Sequence, residues 1–367
     1  MAEVPSTMRS LVAPKKGTPD VYEVRQVPTP KLRTSTQVLI RVHAAGINTG
    51  DVQLAGGQVG VIYTAEFPMS LGFEGAGVVV ATGKDVSSLK VGDEVFGTSL
   101  DKPMFRDPPP GFASEYTVCE EHLLLKKPRG VDFETAASIP TLVTTAYLAI
   151  SRGLRLSGEP NLEGKTVFVP GALSGTGSIM VQIAKNVFGA SRIISTVSTP
   201  KISLVEQHLP GIVDQLIDYK IQSAKNEVPP ASVDFAINTQ WTTLDECIHV
   251  LKPQTGTLMS ITGIPTKETT KELIGADSFP CWLGATLDAG QMYYEWKLWG
   301  TNIQFEMISG DPEKRDSLHR AGEMVSQGKV KPVVRVANLD DIEAVRENCS
   351  QVYTGKGGLG KFVVRIV

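Results

Sequence analysis

The stretch from Lys165 to Lys201 constrains the fold more than any other part of the sequence. It begins with a run of β-branched and aromatic residues, Lys165 to Pro170, which is typical of a buried parallel strand. A glycine-rich turn, Gly171-Ala-Leu-Ser-Gly-Thr-Gly177, follows directly. From Ser178 to Phe188 the apolar residues recur every four positions, which predicts a helix packed on a sheet. The glycines are therefore expected at the N-terminus of a helix that follows a strand.

This glycine-rich turn has the chemistry of a phosphate-binding site. A helix N-terminus leaves backbone N–H groups unpaired and carries a partial positive charge, so a pyrophosphate binds there when glycines let the backbone approach closely. The candidate contacts are Ser174, Gly175, Thr176 and Gly177. Their spacing departs from G-x-G-x-x-G, and a turn whose glycines serve only tight packing is the alternative.

The residues after the second strand indicate which dinucleotide would bind. Arg192 to Val197 reads as that strand, and no Asp or Glu follows it where a ribose-binding acid would stand. Ser198, Thr199 and Lys201 offer instead two hydroxyls and a cation, which suit a 2′-phosphate. The sequence therefore predicts NADP(H) over NAD(H). The alternatives are a helix N-cap for Ser198 and a solvated first turn for Lys201.

Composition excludes several classes of protein. The chain has 367 residues, of which 41% are hydrophobic, and this is enough for two domains with two cores. A net charge of -3 with scattered basic residues predicts no nucleic-acid partner. Neither a signal peptide nor a run of about 20 apolar residues is evident, so we expect a cytoplasmic protein without a membrane span. The four cysteines and five histidines follow no metal-binding spacing.

The order of strand and helix patterns predicts two kinds of domain. Short strands and turns up to about Gly97 indicate a small β-barrel or sandwich. After Phe133 the pattern becomes helical and then alternates between strands and helices, which predicts a doubly wound parallel sheet. The predicted sheet strands are Lys165–Val169, Arg192–Val197, Gln215–Asp218, Val233–Asn238, Gly256–Thr262 and Asn302–Met307. Strands near Val333 and Lys361 are expected to rejoin the first barrel.

Three of the four tryptophans fall between Phe279 and Phe305. Met292, Trp296 and Trp299 would share one face of a helix. We expect this face to pack on the core or on a second subunit rather than to line a substrate pocket.

Seven short motifs follow one another along nearly the whole chain. They are Ala45–Asn48 (AGIN), Leu71–Val78 (LGFEGAGV), Val91–Gly97 (VGDEVFG), Thr145–Tyr147 (TAY), Gly164–Gly177, Leu251–Pro253 (LKP) and Gly360–Val364 (GKFVV). In this order they resemble the medium-chain dehydrogenase/reductase superfamily. The resemblance implies an α/β protein with a GroES-like β-barrel catalytic domain at residues 1–138 and a Rossmann cofactor domain at residues 139–309. Residues 310–367 would return to the catalytic domain.

Two positions indicate a branch of this superfamily. Zinc-dependent alcohol dehydrogenases have a Cys at the position of Asn48 and a His at that of Phe73, and neither residue present here is a usual zinc ligand. No metal site is therefore expected. The chain is similar to the zinc-free quinone oxidoreductases and enoyl reductases, including prostaglandin-reductase-like proteins and fungal trans-acting enoyl reductases. The similarity implies hydride transfer from NADPH to an activated C=C bond of an enone or enoyl thioester, or to a quinone.

The resemblance also implies roles for particular residues. Asn48 would lie beside the nicotinamide, Thr145 near its carboxamide, and Tyr63 would donate a proton or hydrogen bond to the enolate. For Tyr63 a packing or surface role is the alternative, and Asp51 is predicted to cap a helix. The expected cofactor-binding residues are Ser174, Gly175, Thr176, Gly177, Ser198, Thr199, Lys201, Tyr219, Asn238 and Gly263. For the last three, ordinary strand ends and turns are the alternative.

The sequence leaves the partners and the activity open between alternatives. The superfamily that the chain resembles includes monomers and also homodimers, which pair the edge of the nucleotide sheet. In this chain the candidate edge strand is Asn302–Met307. A small-molecule substrate is expected, and a polyketide-synthase partner is consistent with the fungal relatives. The alternative function is an NADPH-binding protein without reductase activity, such as a redox sensor, a structural protein or a non-redox biosynthetic helper.

Overall fold

The structure is a computed structural model, and it describes residues 4–58, 60, 65–101, 110–308 and 315–367. In chain order the strands are β1 (Thr7–Ala13), β2 (Glu23–Pro28), β3 (Gln37–Ile47), β4 (Met69–Ser70), β5 (Glu74–Thr82), β6 (Glu94–Thr98), β7 (Tyr116–Glu120), β8 (Leu124–Lys126), β9 (Thr166–Val169), β10 (Arg192–Val197), β11 (Gln215–Asp218), β12 (Phe235–Asn238), β13 (Thr257–Ser260), β14 (Gln304–Met307), β15 (Val334–Asn338) and β16 (Lys361–Arg365). The α-helices are α1 (Thr49–Ala55), α2 (Phe133–Ala137), α3 (Thr144–Ser157), α4 (Gly175–Asn186), α5 (Ile202–His208), α6 (Ala224–Glu227), α7 (Leu244–Val250), α8 (Lys267–Ile274), α9 (Cys281–Lys297), α10 (Arg315–Ser326) and α11 (Ile342–Thr354).

The chain forms two compact units, of which the first combines Met1–Thr141, Pro312–Ser326 and Val334–Val367. Its main sheet has the strand order β15-β16-β3-β5-β6-β8, and β7 also pairs with β3. A small sheet with the order β2-β1-β4 completes its strands. Apolar residues of β3 and β16, such as Ile40 and Phe362, are buried in one core with Phe112 from a connecting segment. The late strand β16 is thus packed directly against the early strand β3.

The second unit combines Leu142–Asp311 and Gln327–Val333. Its sheet is parallel throughout and has the strand order β11-β10-β9-β12-β13-β14. Because the order runs outward in both directions from the neighbours β9 and β12, the sheet is doubly wound, and a ligand crevice is expected at the carboxyl ends of these two strands. The predicted parallel sheet is confirmed.

Some sequence-based expectations were wrong in detail. The helix after the glycine-rich turn begins at Gly175 rather than Ser178, because Ser174 caps it and draws Gly175 and Gly177 into the first turn.

Of the two expectations for the aromatic face of α9, packing on the core of this chain was wrong, whereas packing on a second subunit stays a prediction. The side chains of Trp296 and Trp299 are 69% and 87% exposed, and Trp299 lies beyond the end of α9. Tyr294 is the residue that packs inward, with its ring 4.9 Å from that of Phe305 and its hydroxyl accepting from the N–H of Ile264. The helical periodicity predicts which residues share one face of α9, but it does not indicate whether another part of the protein covers that face.

No helix in the described part of the chain has both the length and the apolar character needed to cross a bilayer.

Candidate active site

The turn between β9 and α4 is closed by a hydrogen bond between its own residues. The Oγ of Ser174 accepts from the backbone N–H of Gly177 at 3.0 Å. Gly171 adopts a positive φ of 80°, and a Cβ on Gly177 would lie 2.2 Å from the carbonyl oxygen of Gly171. Both glycines are therefore required by the geometry of the turn.

The same turn is tied to its neighbouring strands. Thr196 of β10 accepts from the N–H groups of Gly171 and Ala172, through its hydroxyl and its carbonyl respectively. The hydroxyl of Thr239, after β12, donates to the carbonyl of Pro170 at 2.8 Å. In the first turn of a helix, N–H groups such as those of Gly175 and Thr176 have no intrahelical acceptor. The turn is thus held rigidly with backbone donors at a helix N-terminus, as an anion site requires.

The end of β10 brings together the residues predicted to bind a 2′-phosphate. The backbone N–H of Lys201 donates to the carbonyl of Ser198 at 2.8 Å, so a tight 3₁₀ turn places these two residues side by side. Ser198 is the N-cap of this turn, but its side chain makes no capping hydrogen bond. The N-cap alternative therefore holds for the position of Ser198 but not for a capping hydrogen bond from its side chain. Thr199 is exposed and Lys201 is half-buried.

The three other predicted cofactor residues differ in what their side chains do. Tyr219 is 52% exposed just after β11, with the Nζ of Lys220 5.6 Å from its ring centroid. The amide of Asn238 donates to Ser260 and accepts from Thr243, so it is held within the protein. Gly263 is required by packing, because a Cβ there would lie 2.3 Å from the hydroxyl of Tyr294.

The N-terminus of α3 carries two buried hydroxyls that lack hydrogen-bond partners among the described residues. They belong to Thr144 and Thr145. A buried hydroxyl without a partner costs free energy, so such a group is expected to bond either a bound ligand or an ordered water. Thr145 is the threonine expected near the nicotinamide carboxamide, and its unpartnered hydroxyl fits that group.

In the first unit, Asn48 begins a buried polar cluster. It is the N-cap of α1 and forms a capping box with Asp51, whose carboxylate accepts from the N–H of Asn48 at 2.8 Å. The other carboxylate oxygen of Asp51 accepts from the N–H groups of Gly72 and Phe73. Complete burial raises the pKa of Asp51 to about 6, against the opposing effect of these hydrogen bonds. The predicted capping role of Asp51 is confirmed.

The side chain of Asn48 lies in the same cluster between two opposite charges. Its Nδ2 donates to the carboxylate of Glu74 at 2.8 Å, and its Oδ1 accepts from the ammonium group of Lys361 at 2.6 Å. Lys361 also forms an ion pair with Glu74. Neither Glu74 nor Lys361 was predicted to have a role in the site, although both stand within motifs that carry the family resemblance.

Comparisons with known proteins agree with both units. The model of the alcohol dehydrogenase GroES-like domain matches residues 34–129, and that of the zinc-binding dehydrogenase matches residues 213–356. The chain belongs to the medium-chain dehydrogenase/reductase superfamily. The expected combination of a GroES-like domain with a Rossmann-type domain is thereby confirmed.

Two curated members of the superfamily illustrate the similarity. A 2-methylene-furan-3-one reductase from Solanum lycopersicum is 37% identical over 55% of this chain and 50% of its own length. An NADPH-dependent alkenal/one oxidoreductase of Arabidopsis thaliana chloroplasts is 33% identical over 72% of this chain and 65% of its own length. The chain thus spans half to two thirds of these two relatives. The solved quinone oxidoreductase of Coxiella burnetii shares the fold, with a TM-score of 0.75 at 23% identity over 98% of this chain and 100% of that one.

The two positions that hold zinc ligands in the zinc-dependent alcohol dehydrogenases are occupied in this chain by Asn48 and Phe73. Asn48 is engaged by a carboxylate and an ammonium group, and Phe73 contributes an aromatic ring where a zinc-ligating His would stand. Within the described ranges, no group of three His, Cys, Asp or Glu side chains is arranged to hold a metal ion. Tyr63, the predicted proton donor, lies outside the described residues, and its role stays a prediction.

Proposed function

We propose that the protein is an NADPH-dependent, zinc-independent reductase of activated C=C bonds, in enones or enoyl thioesters, or of quinones. The observation that carries the proposal is the rigid turn from Ser174 to Gly177, followed along the sheet by the hydroxyl and ammonium groups of Ser198 and Lys201. The names of the tomato and Arabidopsis relatives support it, because they refer to a methylene-furanone and to alkenals or alkenones.

When bound, NADPH would supply the hydride that reduces the β-carbon of an activated alkene, and a proton would be added at the α-carbon. The residues of the chain supply binding and electrostatics. The turn from Ser174 to Gly177 would hold the pyrophosphate, and Ser198, Thr199 and Lys201 the 2′-phosphate. The unpartnered hydroxyl of Thr145 offers a hydrogen bond to the carboxamide.

The test is oxidation of NADPH by a panel that contains an enone, an enoyl thioester and a quinone, with NADH measured in parallel. Reduction of at least one acceptor, with a strong preference for NADPH, is expected. A thermal shift with NADPH but no turnover of any acceptor would contradict the proposal and favour the non-reductase alternative.

We also propose a homodimer through the edge strand β14. This strand lies at the end of the parallel sheet, and an edge leaves a row of backbone donors and acceptors for pairing with a second copy. The exposed Trp299 lies five residues before it. Light scattering after gel filtration should give twice the 39.5 kDa mass of the chain, and a single-chain mass would contradict the proposal.

A further inference from the structure

In the cluster of Asn48, Glu74 and Lys361, the two charged side chains are buried and hydrogen-bonded. The side chains of Glu74 and Lys361 are 0% and 3% exposed. Besides its bonds to Lys361 and Asn48, Glu74 accepts from the backbone N–H of Thr141 at 2.6 Å. Gly46 makes room for this arrangement, because a Cβ there would lie 2.9 Å from both the Glu74 carboxylate and the Lys361 side chain.

The two charges determine which way the amide of Asn48 faces. An ammonium group only donates hydrogen bonds, so the atom beside Lys361 must be Oδ1. An ionised carboxylate only accepts, so the atom beside Glu74 must be Nδ2. The reversed amide would place donor against donor and acceptor against acceptor. The orientation, which for most amides is ambiguous, is therefore fixed by chemistry.

This orientation leaves Asn48 with one amide hydrogen that the cluster does not use. Nδ2 carries two hydrogens, and one of them is donated to Glu74. Asn48 itself is only half-buried, whereas its two charged partners are enclosed. A buried ion pair is often no more stabilising than apolar residues of the same volume, but it can specify one arrangement of its neighbours.

We propose that the Lys361–Glu74 ion pair is a positioning device, which fixes the Asn48 amide so that its remaining N–H donates to the carbonyl oxygen of a bound group. The inference rests on the proposed function, which supplies two such groups: the carboxamide of the nicotinamide and the carbonyl of the acceptor. Lys361 and Glu74 act through Asn48 and are positioning residues.

A double-mutant cycle tests this relationship. The combined change Glu74→Gln and Lys361→Met removes both charges at similar volume, so no buried charge is left alone, but the new side-chain amide at position 74 can then bond the amide of Asn48 in either orientation. In the wild-type background this change should lower either the NADPH affinity or the kcat/KM for an enone by about 10-fold, which corresponds to the loss of one neutral hydrogen bond. In the Asn48→Ala background it should cost less than about 2-fold, because its effect passes through Asn48.

Two measurements distinguish the nicotinamide carboxamide from the carbonyl of the acceptor. The NADPH dissociation constant, from fluorescence titration, reports on the nicotinamide carboxamide and needs no turnover. The kcat/KM for an enone at saturating NADPH reports on the acceptor. A loss in the first supports the carboxamide, and a loss confined to the second supports the acceptor. Equal losses of affinity or kcat/KM in the wild-type and Asn48→Ala backgrounds would overturn the inference, because the ion pair would then not act through Asn48.

Asn48→Leu keeps a similar side-chain volume and leaves Lys361 and Glu74 paired, but it removes the amide without adding a charge beside Glu74. It should lose about 10-fold in the same readout as Asn48→Ala. Full NADPH affinity together with full turnover in Asn48→Leu would overturn the inference. If the wild-type protein binds NADPH but reduces no acceptor, the proposed function fails, whereas the cycle is still decided by NADPH affinity.

Discussion

The Oγ of Ser174 accepts a hydrogen bond from the backbone N–H of Gly177 at 3.0 Å, and this bond closes the turn between β9 and α4. Gly177→Ala would place a Cβ 2.2 Å from the carbonyl oxygen of Gly171 and force the turn open. We expect the affinities for NADPH and NADH to fall together, each by about 10-fold or more, because both share the pyrophosphate. Fluorescence titration with each cofactor measures this.

Gly284→Ala is the matched control for that change. Gly284 lies in α9, and an added Cβ would be 3.4 Å from the nearest atom, at the flexible Lys267 side chain. Its cofactor affinities should be those of the wild-type protein. Normal affinity in Gly177→Ala would show that the pyrophosphate does not bind at this turn.

Lys201→Ala should separate the two cofactors. A charge-assisted bond to a 2′-phosphate contributes about 1.5–3 kcal/mol, so its loss should weaken NADPH binding about 10- to 100-fold and leave NADH binding nearly unchanged. Lys185→Ala is the control, because it removes the same charge near the other end of α4, where Lys185 pairs with Asp214. If both cofactors weaken equally in Lys201→Ala, then Lys201 does not recognise the 2′-phosphate.

Thr145→Val should affect binding without destabilising the fold. The hydroxyl that it removes has no hydrogen-bond partner among the described residues, so an apolar group of the same shape is expected to leave Tm unchanged or raise it. NADPH affinity should nevertheless fall several-fold. Thr144→Val, which removes the neighbouring unpartnered hydroxyl, should likewise keep or raise Tm but bind NADPH normally. A lower Tm in Thr145→Val would indicate a partner within the protein and contradict the assignment.

Asp51 should make stability depend on pH. Burial raises the pKa of its carboxyl from 3.8 to about 6, so the folded protein binds this proton more tightly than the unfolded chain. The contribution is therefore fully present below pH 3.8 and is lost as the pH rises through about 6. Relative to Asp51→Asn, the wild-type free energy of unfolding should increase by about 1 kcal/mol between about pH 8 and pH 5.

Urea unfolding of both proteins at a series of pH values measures this difference. Parallel pH profiles for the wild-type protein and Asp51→Asn would mean that the carboxyl titrates in the same way in the folded and unfolded chains.

Local sequence patterns predicted the second unit well, because its strands are continuous apolar runs that end in abrupt turns. The strands Arg192–Val197 and Gln215–Asp218 have the predicted bounds. The start of α4 was missed because glycines are poor helix formers, and only the cap at Ser174 shows that the helix begins with them. The local sequence pattern was sufficient to predict the strands of the parallel sheet but not every helix end.

The cluster around Asn48 could not be predicted from spacing. Glu74 and Lys361 are separated by 287 positions, and each is an ordinary charged residue in its own segment. Their pairing depends on β16 lying beside β3, which a local pattern does not encode. Similarly, the helical period placed Trp296 on one face of α9 but contained no information about what covers that face.

The position of β16 between β15 and β3 has a kinetic consequence. Asn48 and Lys361 are 313 positions apart, so the first unit's sheet depends on a contact of very high sequence separation. Such contacts slow folding, because a long loop must close before the pairing stabilises it. During translation the parallel sheet of the second unit can assemble while β3 still awaits β16. Until β16 is made, Glu74 lacks the ammonium group that neutralises it, and the end of β3 that pairs with β16 has no strand beside it on that edge.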